Sequence, residues 1–234
     1  MSSPYDAIAE LYDPWSASVV EDVAFYLEEA RRSGGPVVEL GVGTGRIAIP
    51  IAADGIPVIG VDSSRGMLDV CARRAALAGV TLDLRVGDLR EPPVHERVPL
   101  VICPFRSMLH LQTDEERLRG LAAIRELLVQ DGRFVFDVFA PGAEDIAQTQ
   151  DRWLEREPGI FERAVWDEQQ RTLTLTVRGA ASETTMALAW LPAEEWRILL
   201  ERAGFLVEAC HGWFDRTPFA GGEDTVWVTR RDSS

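Results

Sequence analysis

The sequence has only three cysteines, Cys71, Cys103 and Cys210, and no CxxC pair among them. So small and odd a number excludes a disulfide framework, and the wide spacing offers no zinc ligand set. All three lie in apolar surroundings and read as buried thiols, which fits a reducing, cytoplasmic setting. Basic runs are missing too, and the formal net charge is −14. Such a surface repels phosphates, so nucleic acid is a poor partner, while a cationic ligand is a better one. No apolar stretch approaches the roughly 20 residues of a membrane span. The first ten residues lack the basic and then apolar pattern of a signal peptide. Internal repeats and low-complexity tracts are absent, and no His, Cys or carboxylate cluster points to a metal.

What remains is a chain of 234 residues, 46% hydrophobic and 26% charged. That is enough for one large domain, or one domain with a modest insertion. Residues 5–32 read as helical, with apolar positions at Val20, Val23, Phe25 and Leu27, and Gly34-Gly35-Pro36 stops the run. Residues 37–40 are a short apolar run bounded by glycine, the mark of a buried parallel strand. A glycine loop over 41–45 leads into a helix to about Ala53, with Pro50 early in it. Residues 58–61 form a second strand ending in Asp62. Ser63 or Ser64 can cap the next helix. Strands follow over 81–86 and 100–103. Thr113 to Glu116 reads as a capping box that opens a helix, and Asp131-Gly132 turns the chain into a fifth strand over 134–138. Strands alternating with helices at this spacing imply βαβ units around a parallel sheet.

After Pro141 the rhythm changes. Residues 162–166, 171–178 and 184–190 are β-like, and Thr172 to Val177 alternates apolar with polar. The stretch 143–190 is therefore expected to be an antiparallel insertion that covers the substrate. Pro192 suits the first turn of a helix ended by Gly204, and two closing strands follow over 205–209 and 225–229.

Ligands of such sheets sit at the carboxyl ends of the strands. The glycine loop lies there as Gly41-Val-Gly43-Thr-Gly45-Arg46, so Arg46 stands where a dinucleotide-binding loop has its third glycine. Glu39, two residues earlier, is out of place beside a pyrophosphate but suits a sulfonium and an α-amino group. Asp62 can accept from both hydroxyls of a ribose, or cap the helix after it. Asp88 can accept from an adenine amino group beside Leu89, or be an ordinary loop residue.

Taken together, Val38 to Arg46, Gly60-Val-Asp62 with Ser64 and Met67-Leu68, Gly87-Asp88, and Pro104 to His110 resemble the class I S-adenosylmethionine-dependent methyltransferases. The order and spacing match over about residues 35–140. The stretch Tyr5 to Asp13 is similar to the small-molecule branch, which includes glycine/sarcosine and sugar N-methyltransferases. The resemblance implies an α/β, Rossmann-like fold with a seven-stranded, mostly parallel sheet in the order 3-2-1-4-5-7-6, and helices on both faces. It implies one methyltransferase domain over 1–234, with residues 1–33 as a helical cover. It implies S-adenosylmethionine as cofactor, held by Tyr5, Glu39, Gly41, Gly43, Gly45, Arg46, Asp62, Ser63, Met67, Asp88, Leu89, Pro104 and Phe105.

The acceptor is then a small molecule, methylated at nitrogen if the resemblance extends that far. His110 is the candidate base, or a residue that hydrogen-bonds its own loop. Tyr12 is placed at the reaction centre or in aromatic packing. Arg106 and Ser107 can orient a polar acceptor. Trp153, Trp190, Trp213 and Phe214 can wall a flat or cationic one, or serve as ordinary packing. His211 and Asp215 fall near that wall, and His95 on the surface. No membrane partner is expected, and the assembly is expected to be a monomer or homodimer. Three alternatives remain: another reaction on the same cofactor such as its cyclisation, a non-catalytic binding subunit, and a nicotinamide dehydrogenase, which Arg46 disfavours.

Overall fold

The computed structural model describes residues 3–16 and 20–232. A 3-10 turn, Pro4–Ile8, leads directly into α1 (Ala9–Trp15), and α2 (Glu21–Ser33) follows. One helix was expected over 5–32. Pro14 has no N–H to extend α1, which ends one residue later. Residues 17–19 of that expected helix lie outside the described residues. Val20 is 62% exposed and belongs to no apolar face.

The parallel framework then unfolds in order: β1 (Val37–Leu40), α3 (Ala48–Ala53), β2 (Val58–Asp62), α4 (Arg65–Leu77), β3 (Asp83–Val86) and β4 (Val98–Cys103). A 3-10 turn over Ser107–His110 precedes α5 (Asp114–Leu127) and β5 (Leu128–Phe139). Ser64, rather than Ser63, caps α4 by accepting from the Met67 N–H at 3.1 Å. Thr113 caps α5, but the expected reciprocal arm goes elsewhere: Glu116 accepts from the Gln112 N–H instead. Asp131, at φ 60°, sits in an irregular stretch where the register between β4 and β5 shifts.

Beyond β5 come α6 (Ala143–Thr149) and four antiparallel strands, β6 (Trp153–Glu157), β7 (Ile160–Asp167), β8 (Thr172–Arg178) and β9 (Glu183–Ala189). β6 and α6 escaped the sequence reading, because Trp153-Leu-Glu-Arg-Glu157 is too polar to alternate. α7 (Ala193–Arg202), β10 (Phe205–His211) and β11 (Asp224–Arg231) complete the chain. The large sheet runs β10-β11-β5-β4-β1-β2-β3. Counting its seven strands along the chain gives 3-2-1-4-5-7-6, and β11 alone runs against the others.

Two apolar layers sandwich this sheet. One packs Phe134, Phe136, Trp196 and Trp227 beneath α5 and α7. The other packs Phe25, Tyr26, Ile47, Ile51 and Leu100 beneath α2 and α3. Cys71 and Cys103 are buried as expected, whereas Cys210 on the edge strand β10 is only partly so.

The N-terminal segment ties the two sheets together. Asp6 accepts from the Ser64 hydroxyl and the Gly66 N–H at the start of α4. On the other side, the Thr184 hydroxyl of β9 donates to the Pro4 carbonyl, and the Trp15 indole donates to Glu162 of β7. Ile8 packs with Ile160, Val177 and Met186 of the four-stranded sheet. Among the described residues, no helix is long and apolar enough to cross a membrane.

Candidate functional site

The carboxyl ends of β1, β2, β4 and β5 open into two adjoining cavities. The first is lined by Gly41, Gly43, Asp62, Ser63, Met67, Asp88 and Leu89. The second, about 570 Å³, lies between the ends of β4, β5 and β11 and the inner face of the four-stranded sheet. Tyr5, Tyr12, Phe105 and His110 line both. These four side chains are the common wall.

The glycine loop makes the first cavity possible. Gly41 and Gly45 have φ of 71° and 84°. A Cβ at Gly41 would stand 2.6 Å from the Ser107 hydroxyl, and one at Gly45 2.6 Å from the Cys71 sulfur, so neither position admits a side chain. Asp62 is well placed but already engaged. Its Oδ2 accepts from the Gly43 N–H at 2.9 Å and its Oδ1 from the Ser64 N–H at 2.8 Å, so it braces the loop and caps α4 together. Burial nonetheless raises its carboxyl above the usual range.

Glu39 lies beneath the loop, 2% exposed. Its Oε2 has no hydrogen-bond partner, and burial pushes its carboxyl well above the usual range, against the pull of Arg46. A buried polar atom left unpaired is costly and calls for a partner. Arg46 itself does not reach the cavity. It forks onto both oxygens of Asp22 at 2.5 and 2.6 Å, anchoring α2 to the glycine loop, and its guanidinium lies 4.9 Å from the centre of the Phe105 ring. Asp88 is held by Arg90, which grips both its oxygens and keeps its carboxyl below the usual range.

The common wall comes from both ends of the chain's first half. The Tyr5 hydroxyl lies 2.9 Å from Nε2 of His110, and the Tyr12 ring meets Tyr5 and Phe105 edge-on. Burial lowers the His110 pKa to about 4, so the imidazole is neutral at pH 7. It also raises both tyrosines, which stay protonated. Phe105 and Arg106 both adopt the left-handed conformation, at φ 55° and 62°. Each such residue costs about 1–2 kcal/mol when it carries a side chain.

Asp137 of β5 holds this turn, accepting from the backbone N–H of both residues and from the Tyr26 hydroxyl. Sequence reasoning passed over it. The available signal was a lone charge inside the apolar run Phe134 to Phe139.

Other expected residues are distributed unevenly. Trp213 and Phe214 line the second cavity, with Trp166. Trp190 is buried against Trp166 and lines neither cavity. Trp153 is 37% exposed, with Arg178 stacked 4.0 Å from its ring, and also stands outside both. Its strand β6 reaches the second cavity only through Glu155 and Arg156. Ser107 faces the first cavity under Gly41 rather than the second, and Pro104 faces neither. Arg106 lines the second cavity, paired with Asp224 and lying over Phe139. The floor there is apolar: Leu173, Leu175, Met186 and Leu188 from β8 and β9. The rim adds Asp145, Glu155, Glu162, Glu223 and Asp224 against two arginines, Arg106 and Arg156. Among the described residues, no group of three or more His, Cys or carboxylate side chains is placed to hold a metal.

Residues 37–132 match a family model described as a methyltransferase domain. A glycine/sarcosine N-methyltransferase of Aphanothece halophytica is 29% identical over 126 residues, covering 53% of this chain and 48% of that protein. The chain spans about half the length of the first curated relatives it matches. The CcbJ methyltransferase of Streptomyces caelestis superposes with a TM-score of 0.86 at 27% identity, covering 99% of both chains. The amino pentose methyltransferase CalS10 of Micromonospora echinaspora, solved with S-adenosylmethionine bound, gives a TM-score of 0.67 at 19% identity over 95% of both chains.

Proposed function

We propose that this chain, which carries a class I S-adenosylmethionine-dependent methyltransferase domain, methylates a small molecule, at an amine nitrogen. The observation that carries the reading is the pair of adjoining cavities with Tyr5, Tyr12, Phe105 and His110 as their common wall. One cavity suits the cofactor and the other an acceptor. The two meet at these four residues, where a methyl carbon and an acceptor nitrogen would come into contact.

The residues present fit the cofactor. Glu39 lines neither cavity, but the Oε2 of this buried side chain is unpaired and can receive an α-amino group that reaches down to it, directly or through water. Asp62 retains lone pairs for ribose hydroxyls after bonding two backbone N–H groups. Met67 and Leu89 supply apolar faces for a purine. Asp88 accepts three bonds from Arg90, two on Oδ1 and one on Oδ2, and keeps a lone pair on Oδ2 for an adenine amino group. Arg46, Gly45 and Pro104 support this cavity from behind rather than touching its contents.

The bound cofactor supplies a methyl carbon already activated on a sulfonium. The protein therefore has to deliver a neutral, aligned nitrogen and keep water out. In the tautomer whose Nε2–H donates to the Tyr5 hydroxyl, neutral His110 has Nδ1 left to accept a hydrogen bond from that nitrogen, and Tyr5 fixes the ring. Tyr12 and Phe105 close the sides. With a pKa near 4, His110 orients better than it stores a proton, so the acceptor's proton leaves to water or the carboxylate rim.

The preference for nitrogen rests on relatives and on charge. Carboxylates outnumber arginines around the second cavity, which draws in a protonated amine. Its floor of Leu173, Leu175, Met186 and Leu188 suits an acceptor with an apolar body. The test is to incubate the purified chain with S-adenosylmethionine and a panel of primary and secondary amines and matched alcohols, following S-adenosylhomocysteine by mass spectrometry. Product formation with amines supports the reading. Turnover with alcohols alone would remove the nitrogen assignment, and a chain that binds neither cofactor nor product would remove the whole.

A further inference from the structure

Asp137 is a lone charge in the apolar middle of β5, 6% exposed, and what exposure it has is toward the acceptor cavity. A buried carboxylate is costly unless donors converge on it. Three do. Oδ1 accepts from the Tyr26 hydroxyl at 2.6 Å and from the Phe105 N–H at 2.8 Å, and Oδ2 accepts from the Arg106 N–H at 3.1 Å. Two of the three donors are the backbone of consecutive left-handed residues. Residues with side chains hold that conformation only where their surroundings compel it.

We infer that Asp137 is a positioning residue: its carboxylate clamps the Phe105–Arg106 turn and thereby fixes the wall shared by the cofactor and acceptor cavities. This rests on the reading of those cavities given above. The Phe105 ring lines both, with Tyr12 at its edge and Arg46 over its face. Ser107, two residues on, sits under Gly41. A slack turn therefore disturbs both sides of the transfer.

The role demands a carboxylate in its ionised form. An amide, or a protonated acid, presents a donor on one of its two ends, and each end here faces donors already. Burial opposes ionisation and lifts the Asp137 pKa to about 6, with Asp22 of α2 adding to the rise. The Tyr26 hydroxyl, the Arg106 charge and the Phe105 N–H pull the other way. The remaining ionisable neighbours are the Cys103 thiol of β4, held neutral by burial, and Asp224 of β11, engaged by Arg106. The turn is then firm at neutral pH and loosens in mild acid.

The experiment follows the amide resonances of Phe105 and Arg106 by NMR in the ligand-free chain, alongside calorimetric binding of S-adenosylhomocysteine, from pH 5 to 8. Both amides should titrate with a midpoint near pH 6, and their protection against hydrogen exchange, relative to the intrinsic rate at each pH, should fall at least tenfold below it. Affinity for S-adenosylhomocysteine should fall about tenfold over the same range. Asp137→Asn should show fast exchange and weakened affinity at every pH, with no titration. Tyr26→Phe removes one donor but leaves both amide bonds, so it should move the midpoint to higher pH; it decides the matter if Asp137→Asn fails to fold. Amides indifferent to pH, wild-type exchange in Asp137→Asn, or a midpoint unmoved by Tyr26→Phe would each overturn the clamp. Amides that titrate as expected in a chain that binds no S-adenosylhomocysteine would uphold the clamp and reject the cofactor assignment instead.

Discussion

Tyr5 and His110, 105 residues apart, meet through a 2.9 Å hydrogen bond between the phenol oxygen and Nε2. The contact joins the N-terminal turn to the loop after β4, so the first residues of the chain complete the wall. Burial keeps His110 neutral, with a pKa near 4. His110→Ala should lose at least tenfold in turnover while S-adenosylhomocysteine affinity stays within about threefold. The wild-type rate profile should show no limb from this residue between pH 6 and 9. Normal turnover in the variant would reduce His110 to a packing role.

Asp62 combines two duties, bracing the Gly43 N–H and capping α4 at Ser64. Asp62→Ala should weaken S-adenosylhomocysteine binding about 100-fold, equivalent to losing two hydrogen bonds to a charged acceptor at roughly 1.5 kcal/mol each. The lost brace should also lower stability by about 1 kcal/mol. Calorimetry and urea unfolding separate the two effects. Unchanged affinity with lowered stability would leave Asp62 purely structural.

The parallel half of the fold was legible because its strands are continuous apolar runs, Val37–Leu40, Val58–Asp62 and Val98–Cys103, each followed by a loop of distinctive chemistry. Pattern reading failed where long-range partners decide. Arg46 looked like a ligand residue because of its place in the loop, yet Asp22, 24 residues upstream, takes both of its terminal nitrogens. Asp137 looked like an ordinary strand position because its partners, Tyr26 and the Phe105–Arg106 backbone, are 111 and about 30 residues away. The tryptophans of the insertion could not be sorted, since which face of an edge strand meets a cavity depends on register.

Asp6 pins the N-terminal turn to the start of α4 through Ser64 and Gly66. The turn carries Tyr5, so the proposed cover and the proposed reaction centre move together. Asp6→Ala should cost about 1 kcal/mol in stability and speed release of S-adenosylhomocysteine at least several-fold in stopped-flow measurements. A release rate equal to wild type would detach residues 3–16 from cofactor retention.

The aromatic residues should divide by position. Phe214 lines the second cavity, the proposed acceptor site, and packs on Tyr26, whereas Trp153 lies outside it beneath Arg178. Once an acceptor is found, Phe214→Ala should raise its KM about tenfold or more, and Trp153→Ala should leave it within twofold. The reverse order would place the acceptor on the outer face of the small sheet.

Asp137 should also mark the chain's stability against pH. Its ordinary pKa of 3.8 rises to about 6 in the fold. Between those values the folded chain holds a proton that the unfolded chain has released, so this group's contribution falls as pH rises through the window. The loss amounts to about 3 kcal/mol at 1.36 kcal/mol per pKa unit. Asp137→Asn cannot titrate there. The difference in unfolding free energy between wild type and variant, measured in urea at pH 4 and at pH 7, should therefore shift by roughly 2 kcal/mol, most of that loss, in the variant's favour at the higher pH. A difference that stays constant would mean that the folded carboxyl titrates as it does in the open chain. The donors would then fully offset its burial, and the turn would hold in acid as firmly as at neutrality.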